Sequence, residues 1–277
     1  MTLHTALLQG TELLQAESIL APRLTAEVLL AHALGQERVY LYAHPEEELT
    51  ELAWIHYGRY LHQRLKGMPT QYITHRQEFY GRDFRVTSDV LIPRPETEHL
   101  VEAALARWTP GTIVVDVGTG SGAIAVTLAL EKDALIFASD ISPAAVAVAR
   151  DNAVRLNARV QFFVGDLTSS LQTAGVDLLV CNPPYVPLTD QRGLQREVRD
   201  YEPHVALFGG PTGLEQYQRL ISESRRVLMR GGWLLVELGY NSVGPVQEML
   251  TQDAWRDIEV LSDLAGLPRV LAARYTG

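Results

Sequence analysis

Apolar positions along the first quarter of the chain recur at helical spacing. Leu3, Ala6, Leu7, Leu13 and Leu14 form one stripe, and Ala26, Leu29, Leu30, Ala33 and Leu34 form a second that Gly35 stops. Leu49, Leu52, Ile55, Leu61 and Leu65 predict a third group, ended by Gly67-Met68-Pro69. The pattern then changes. Glu78-Phe79-Tyr80-Gly81 and Phe84-Arg85-Val86 read as a β-hairpin with its turn at Gly81 to Asp83. Ile92-Pro93-Arg94-Pro95-Glu96-Thr97-Glu98 is an extended entry into a helix that runs to about Arg107.

From position 112 strands and helices alternate. Strands are predicted at Ile113–Val117, Leu135–Ser139, Val160–Val164, Val176–Cys181, Trp233–Leu238, Ile258–Leu261 and Val270–Tyr275. Helices are predicted at Gly122–Leu130, Pro143–Asn157 (Ser142 as its cap), Leu214–Met229 and about Val246–Leu250. Such alternation means a mainly parallel sheet covered by helices on both faces. The stretch Pro183–Gly213 reads as irregular and is long for a loop, which points to a functional segment. The expected domain boundary lies near 75, with 76–111 as a connector and 112–277 as the catalytic domain.

Composition narrows the classes. A formal net charge of −9 argues against a general nucleic-acid binder, which usually carries a basic face. The single cysteine, Cys181, allows no disulfide within the chain and fits a reducing, cytoplasmic setting. Met1 to Leu20 contain no Lys or Arg, so they lack the charged start of a signal peptide, and no apolar run approaches a membrane span. The eight histidines show no metal-ligand spacing, and no metal is expected.

Two motifs carry chemistry. Asp116-Val117-Gly118-Thr119-Gly120-Ser121-Gly122 closes the first sheet strand and opens a helix, whose free N–H groups and glycines admit a ligand close to the backbone. The glycines run G-x-G-x-G rather than the dinucleotide G-x-G-x-x-G. Asp140, at the end of the second strand, is placed to take both hydroxyls of a ribose. With Asp116 suited to a cationic tail, the fitting ligand is S-adenosyl-L-methionine; Asp166 and Leu167 are expected at its adenine edge. The second motif is Asn182-Pro183-Pro184-Tyr185 at the end of the fourth strand. Both prolines fix φ and lack an N–H, leaving a stiff corner with free carbonyls, a carboxamide and a flat ring. Such a corner can hold a planar nitrogen nucleophile.

Together these residues resemble the class I S-adenosylmethionine-dependent methyltransferases that act on nitrogen. More narrowly, Phe79-Tyr80-Gly81, Ile92 to Glu98, Asn182 to Tyr185 and Pro22-Arg23-Leu24-x-Ala26-Glu27-x-Leu29-Leu30 resemble the PrmC/HemK family, the protein-(glutamine-N5) methyltransferases of peptide chain release factors. The resemblance implies a Rossmann-like seven-stranded α/β sheet, its last strand pair partly antiparallel, behind a small N-terminal helical bundle at 1–75 that docks substrate. It implies transfer of a methyl group to the glutamine of the Gly-Gly-Gln (GGQ) loop in class I release factors. Asn182, Pro183, Pro184 and Tyr185 would hold that glutamine, with Asn182, Pro183 and Tyr185 catalytic. Asp116, Gly118, Thr119, Gly120, Ser121, Gly122, Asp140, Asp166, Leu167 and Asn182 would hold the methyl donor. Glu96 and Thr97 are expected over the methionine end, Thr97 alternatively as a helix cap, and Phe79 as a wall. After Glu237-Leu238-Gly239 the family usually carries a Gln; Asn241-Ser242 stand there in this chain.

Three rivals remain at this point. An adenine-N6 nucleic-acid methyltransferase uses a similar corner, but the acidic charge and the lack of a basic recognition domain oppose it. A non-catalytic S-adenosylmethionine-binding partner of the translation machinery would not need the intact corner. A nicotinamide dehydrogenase needs the other glycine spacing.

Overall fold

In the computed structural model, which describes residues 1–250 and 254–277, the chain divides into two units. One comprises Met1–Arg76 with Gln195–Tyr201, the other Gln77–Leu194 with Glu202–Gly277.

The first unit is helical: α1 Leu3–Ala16, α2 Pro22–Leu34, α3 Arg38–Ala43, α4 Glu51–Leu65 and α5 Thr70–Thr74. Thr2 and Thr50 cap α1 and α4, each hydroxyl accepting a backbone N–H three residues on at 3.2 Å. Pro22 sits in the first turn of α2, and Gly35 ends it at φ 65°, a left-handed conformation that glycine adopts freely. The core joins Leu3, Leu7 and Leu14 to Leu29, Leu30, Tyr57 and Leu61. The buried face of α4 is Ala53, Tyr57, Leu61 and Arg64, not the expected Leu52 and Ile55, which are exposed. Leu13, expected in the α1 stripe, is exposed too. Glu27 is buried among Arg23, at 2.8 Å, Arg38, at 3.1 Å, and the Tyr42 hydroxyl. Burial opposes its charge, but these three partners outweigh burial and hold the carboxyl below its usual range.

The second unit begins at the second residue of a hairpin, β1 Arg76–Phe79 and β2 Arg82–Arg85. Its turn is Tyr80-Gly81, at φ 52° and 71°, one step earlier than Gly81 to Asp83. Two carboxylates fix that register: Glu98 accepts the Tyr80 N–H at 2.8 Å and Glu78 the Gly81 N–H at 2.6 Å. A 3₁₀ turn at Pro95–Thr97 leads into α6 Glu98–Arg107. Next come β3 Val114–Val117, α7 Ala123–Lys132, β4 Ile136–Asp140, α8 Pro143–Arg155, β5 Val160–Val164 and β6 Val176–Cys181. Ser142 caps α8 by accepting the Ala145 N–H at 3.2 Å, with Pro143 in the first turn.

The stretch after β6 is less irregular than the sequence implies. It holds β7 Val186–Pro187, a 3₁₀ turn at Leu188–Gly193, α9 Arg196–Tyr201, α10 His204–Leu207 and β8 Phe208–Gly210. These pieces are too short to show a period. Helix α9 belongs to the first unit, where Glu197 pairs with Arg64 at 2.6 Å and the Tyr201 hydroxyl donates to the Lys66 carbonyl at 3.1 Å. The chain continues through α11 Glu215–Val227, β9 Leu228–Glu237, α12 Val243–Met249, β10 Trp255–Ser262 and β11 Pro268–Tyr275.

The main sheet has seven strands among the described residues, in the order β10-β11-β9-β6-β3-β4-β5. The five strands from β9 to β5 are mutually parallel, while β11 runs antiparallel to both β9 and β10. Helices α6 and α7 supply core residues to one face and α11 and α12 to the other. From β3 the chain lays β4 and β5 to one side, then returns to lay β6 on the other. That reversal opens a crevice at the carboxyl ends of β3, β4 and β6, where open α/β sheets take their ligands.

Candidate active site

The turn from β3 into α7 is possible because Gly118, Gly120 and Gly122 all adopt positive φ, at 73°, 55° and 83°. The N–H groups of Gly118 and Thr119 both reach the Ser139 carbonyl at 2.9 Å. Asp140 locks the turn from the next strand. One oxygen accepts the Gly120 N–H and the other the Ser142 N–H, each at 2.9 Å. Burial raises the Asp140 pKa, and the N–H groups of Ser142, Gly120 and Ile141 oppose that rise.

Asp116 lies behind the turn and is fully buried. Thr119 donates its hydroxyl to one oxygen at 2.6 Å, and the other has no partner among the described residues. Burial pushes this carboxyl up to about 7. A cationic ligand group in the neighbouring cavity would favour its ionisation through charge without touching it, and the Asp140 carboxylate lines that cavity, so the residues present fit a sulfonium-bearing amino-acid tail with a ribose on Asp140.

The second motif meets the first at its root. A Cβ built on Gly118 would find the Asn182 carbonyl as its near neighbour, at 4.0 Å. The Asn182 amino group donates to the Thr97 hydroxyl at 3.2 Å, which leaves Oδ1 as the carboxamide's open acceptor. Tyr185 turns inward, its hydroxyl 3.5 Å from Glu237 Oε1. Three glycines clamp the corner. A Cβ on Gly209 would stand 2.5 Å from the Pro184 carbonyl, one on Gly213 2.3 Å from the Tyr185 carbonyl, and one on Gly239 2.8 Å from the Tyr185 ring.

One cavity unites these parts. Gly118, Thr119, Gly120, Ser121, Asp140, Asp166, Leu167, Asn182 and Pro184 line it. Asp116, Gly122, Pro183 and Tyr185 are not among the lining residues. Gly122 instead faces α8, where an added Cβ would stand 3.1 Å from Ala149. Thr97 lines the cavity and makes no capping bond to α6. Phe79 is not a wall: it is buried in the core, edge-on to Phe84 at 6.0 Å. Its bulk and apolarity draw it there rather than to the crevice. Glu96 pairs with Arg269 at 3.7 Å.

Part of the remaining wall comes from residues to which sequence reasoning gave no role, among them Arg94, Ile141, Val205, Ala206, Gln216 and Arg219. Arg94 grips the buried Glu202 carboxylate at 2.6 and 2.8 Å, and Arg219 pairs with Asp166 at 2.8 Å. Only the Pro-Arg-Pro spacing could have flagged Arg94; α10 and α11 carry no motif.

Known proteins resemble the chain along both units. Residues 5–74 match the PrmC N-terminal domain and residues 96–196 the methyltransferase small domain. A methyltransferase structure from Pyrococcus furiosus shares the fold, with a TM-score of 0.54 at 18% identity over 72% of this chain and 91% of that one. The release factor glutamine methyltransferase of Neisseria gonorrhoeae is 42% identical over 92% of this chain and 94% of its own. That of Koribacter versatilis is 45% identical over 99% of each chain. Identity of that level along both units means that the chain belongs to the release factor glutamine methyltransferase family.

Proposed function

We propose that the chain methylates the side-chain amide nitrogen, N5, of the glutamine in the Gly-Gly-Gln loop of class I peptide chain release factors, using S-adenosyl-L-methionine. The observation that carries this reading is the placement of Asn182, with a free Oδ1, on the wall of the cavity that also holds Gly118, Gly120 and Asp140.

When bound, S-adenosyl-L-methionine supplies a methyl on a cationic sulfur, so that one S–C bond breaks as one N–C bond forms and a neutral thioether is left. The turn at Gly118 to Gly122, Asp140 and the Asp166–Leu167 edge hold it, with Asp116 behind. A glutamine amide is a weak nucleophile, because its lone pair is delocalised into the carbonyl. Asn182 Oδ1 and the Pro183 carbonyl accept its two hydrogens, fix its plane and stabilise the positive charge that develops on N–H. Tyr185, held by Glu237 and Gly239, stiffens the corner. The surplus proton leaves the methylated nitrogen to water. Holding the nucleophile in a reactive geometry supplies up to about 7–11 kcal/mol in favourable cases, and aimed acceptors a few more.

The helical unit, 1–75 in the sequence division, serves to dock the release factor. Its acidic surplus, five basic against eight acidic residues over 2–67, does not suit nucleic acid. The setting in this reading is the cytoplasm, where translation terminates; no helix among the described residues is long and apolar enough to cross a membrane.

The test is incubation with methyl-labelled S-adenosylmethionine and, separately, a class I release factor and DNA. Label on the Gly-Gly-Gln glutamine supports the reading. Label on DNA, or on neither, overturns it.

A further inference from the structure

Glu237 ends β9, the strand beside β6, and its neighbour Val236 is registered against Cys181, the residue before Asn182. It is 3% exposed, yet the carboxyl has little to hold it. The Tyr185 hydroxyl stands 3.5 Å from Oε1, and Oε2 has no hydrogen-bond partner among the described residues. Arg269 and Glu96 act on it from β11 and from the turn before α6, with opposite signs. Thr97 and Asn182 are the side chains that favour its charged form as hydrogen-bonding neighbours, although neither closes a full bond to Oε2. An apolar residue would fill this place at lower cost, since a buried acid without a strong partner destabilises a fold. Its position behind the corner gives it a use.

We propose that Glu237 is the positioning residue of the Asn182–Tyr185 corner, holding the Tyr185 hydroxyl on one side and the Thr97–Asn182 pair on the other. Thr97 accepts from the Asn182 amino group, so its own hydrogen points elsewhere, and the Glu237 carboxyl is the neighbouring acceptor. That arrangement assigns the Asn182 carboxamide one orientation, amino group inward and Oδ1 toward the cavity. A backbone contact steadies the strand end itself: the Tyr217 hydroxyl donates to the Glu237 carbonyl at 2.8 Å and accepts from the Gly239 N–H at 3.1 Å. Glu237 is absent from the residues lining the cavity, so it acts through its neighbours rather than on substrate.

This inference rests on the proposed methyl transfer to glutamine. Its test compares the full-length wild type with Glu237→Ala, Glu237→Gln and Thr97→Val, measuring methyl transfer to a release factor at saturating substrates and, by calorimetry, the Kd for S-adenosylmethionine. Expected is a kcat at least 10-fold lower for Glu237→Ala and Thr97→Val, with Kd changed less than threefold for Glu237→Ala, since Glu237 does not line the cavity. Glu237→Gln, which keeps the shape and an acceptor oxygen, should restore kcat to within about threefold of wild type. Should Glu237→Ala fail to fold, the Thr97→Val and Glu237→Gln pair decides by the same criteria. Wild-type kcat in Glu237→Ala or in Thr97→Val overturns the proposal, and so does a Gln variant as slow as the Ala variant, which would assign a proton-transfer role instead. Failure of the wild type itself to label a release factor sinks the functional reading, an outcome distinct from labelled product made equally by every variant.

Discussion

The Tyr185 ring lies directly on Gly239: a methyl group on that glycine would stand 2.8 Å from the ring carbon Cδ2 and 3.1 Å from Cγ. Carbon atoms do not approach so closely, so any side chain at 239 must push the ring. The residue cannot shift freely, because Gly213 packs closely against the Tyr185 carbonyl. Gly239→Ala should therefore tilt Tyr185 and shift the corner. Overpacking of this kind costs about 1–3 kcal/mol of stability, while methyl transfer should fall 10-fold or more. Steady-state kinetics with a release factor, set beside a thermal melt, checks both.

Asn182 offers its Oδ1 because Thr97 engages its amino group. Asn182→Ala removes an acceptor aimed at charge that develops only during the reaction. Losing one such group costs roughly 10²–10³ in kcat. Asn182→Asp keeps an acceptor but cannot donate to Thr97 as an amide does, and should fall between the two. The measure is single-turnover methylation, with binding of the methyl donor followed separately. An Ala variant that transferred methyl at the wild-type rate would remove Asn182 from catalysis.

Much of this architecture is legible in the sequence, for physical reasons that differ by element. Val176–Cys181 has the bounds that its apolar run predicts, because a buried parallel strand is apolar on both faces, and Val160–Val164, the part-exposed edge strand, keeps its predicted bounds too. Ser142 and Pro143 mark the start of α8 through local chemistry alone. The α4 face was misread because Leu52 and Ile55 outweigh Ala53 and Tyr57 on hydropathy, while the tight approach to α1 favours the small residue and the flat ring. Strand β10 is longer than Ile258–Leu261 because a bulge between Arg256 and Glu259, with Asp257 at φ 50°, breaks its alternation. The same division holds at the site. Gly118, Asp140 and Asn182 sit at strand ends and announce themselves by motif. Arg219 and Gln216 reach the cavity from α11, and only the folded chain brings them there.

Two buried carboxyls give the fold a definite response to pH. Burial lifts Asp116 from an ordinary 3.8 to about 7, helped by the charge of Asp140 and opposed by the Thr119 hydroxyl and the Ala125 backbone. Burial lifts Glu237 from 4.5 to about 7; Glu96 adds to the rise, and Thr97, Arg269 and Asn182 oppose it. Below their unfolded values both groups are protonated whether the chain is folded or not. As pH rises toward 7 the unfolded chain releases these protons first, so the folded state loses stability through that window. Where one such group is protonated in the folded chain and ionised in the unfolded one, the slope is about 1.4 kcal/mol per pH unit. Asp116→Asn, which has no proton to release, should flatten this decline. Urea unfolding of the unliganded protein at pH 5 and pH 8 measures it. The variant should gain on wild type at the higher pH, and an unchanged difference would show that Asp116 ionises normally.

In the helical unit the tight point lies between Gly10 of α1 and Tyr57 of α4. A Cβ on Gly10 would fall 1.9 Å from the Tyr57 hydroxyl oxygen and 2.8 Å from Cζ. That hydroxyl is buried and has no hydrogen-bond partner among the described residues. The ring is wedged in the core beside Leu61, so it has no room to swing aside. Gly10→Ala gains helix propensity but forces α1 and α4 apart, and the net cost should be about 1–3 kcal/mol. Tyr57→Phe alone removes an unsatisfied polar atom and should be close to neutral. The double variant should recover part of the loss, because the closest clash is with the oxygen that Phe lacks. The residual cost reports the Cζ contact, which Phe keeps. Thermal or urea unfolding of the four proteins completes this cycle, and strict additivity of the two single changes would mean that Gly10 is not held against Tyr57.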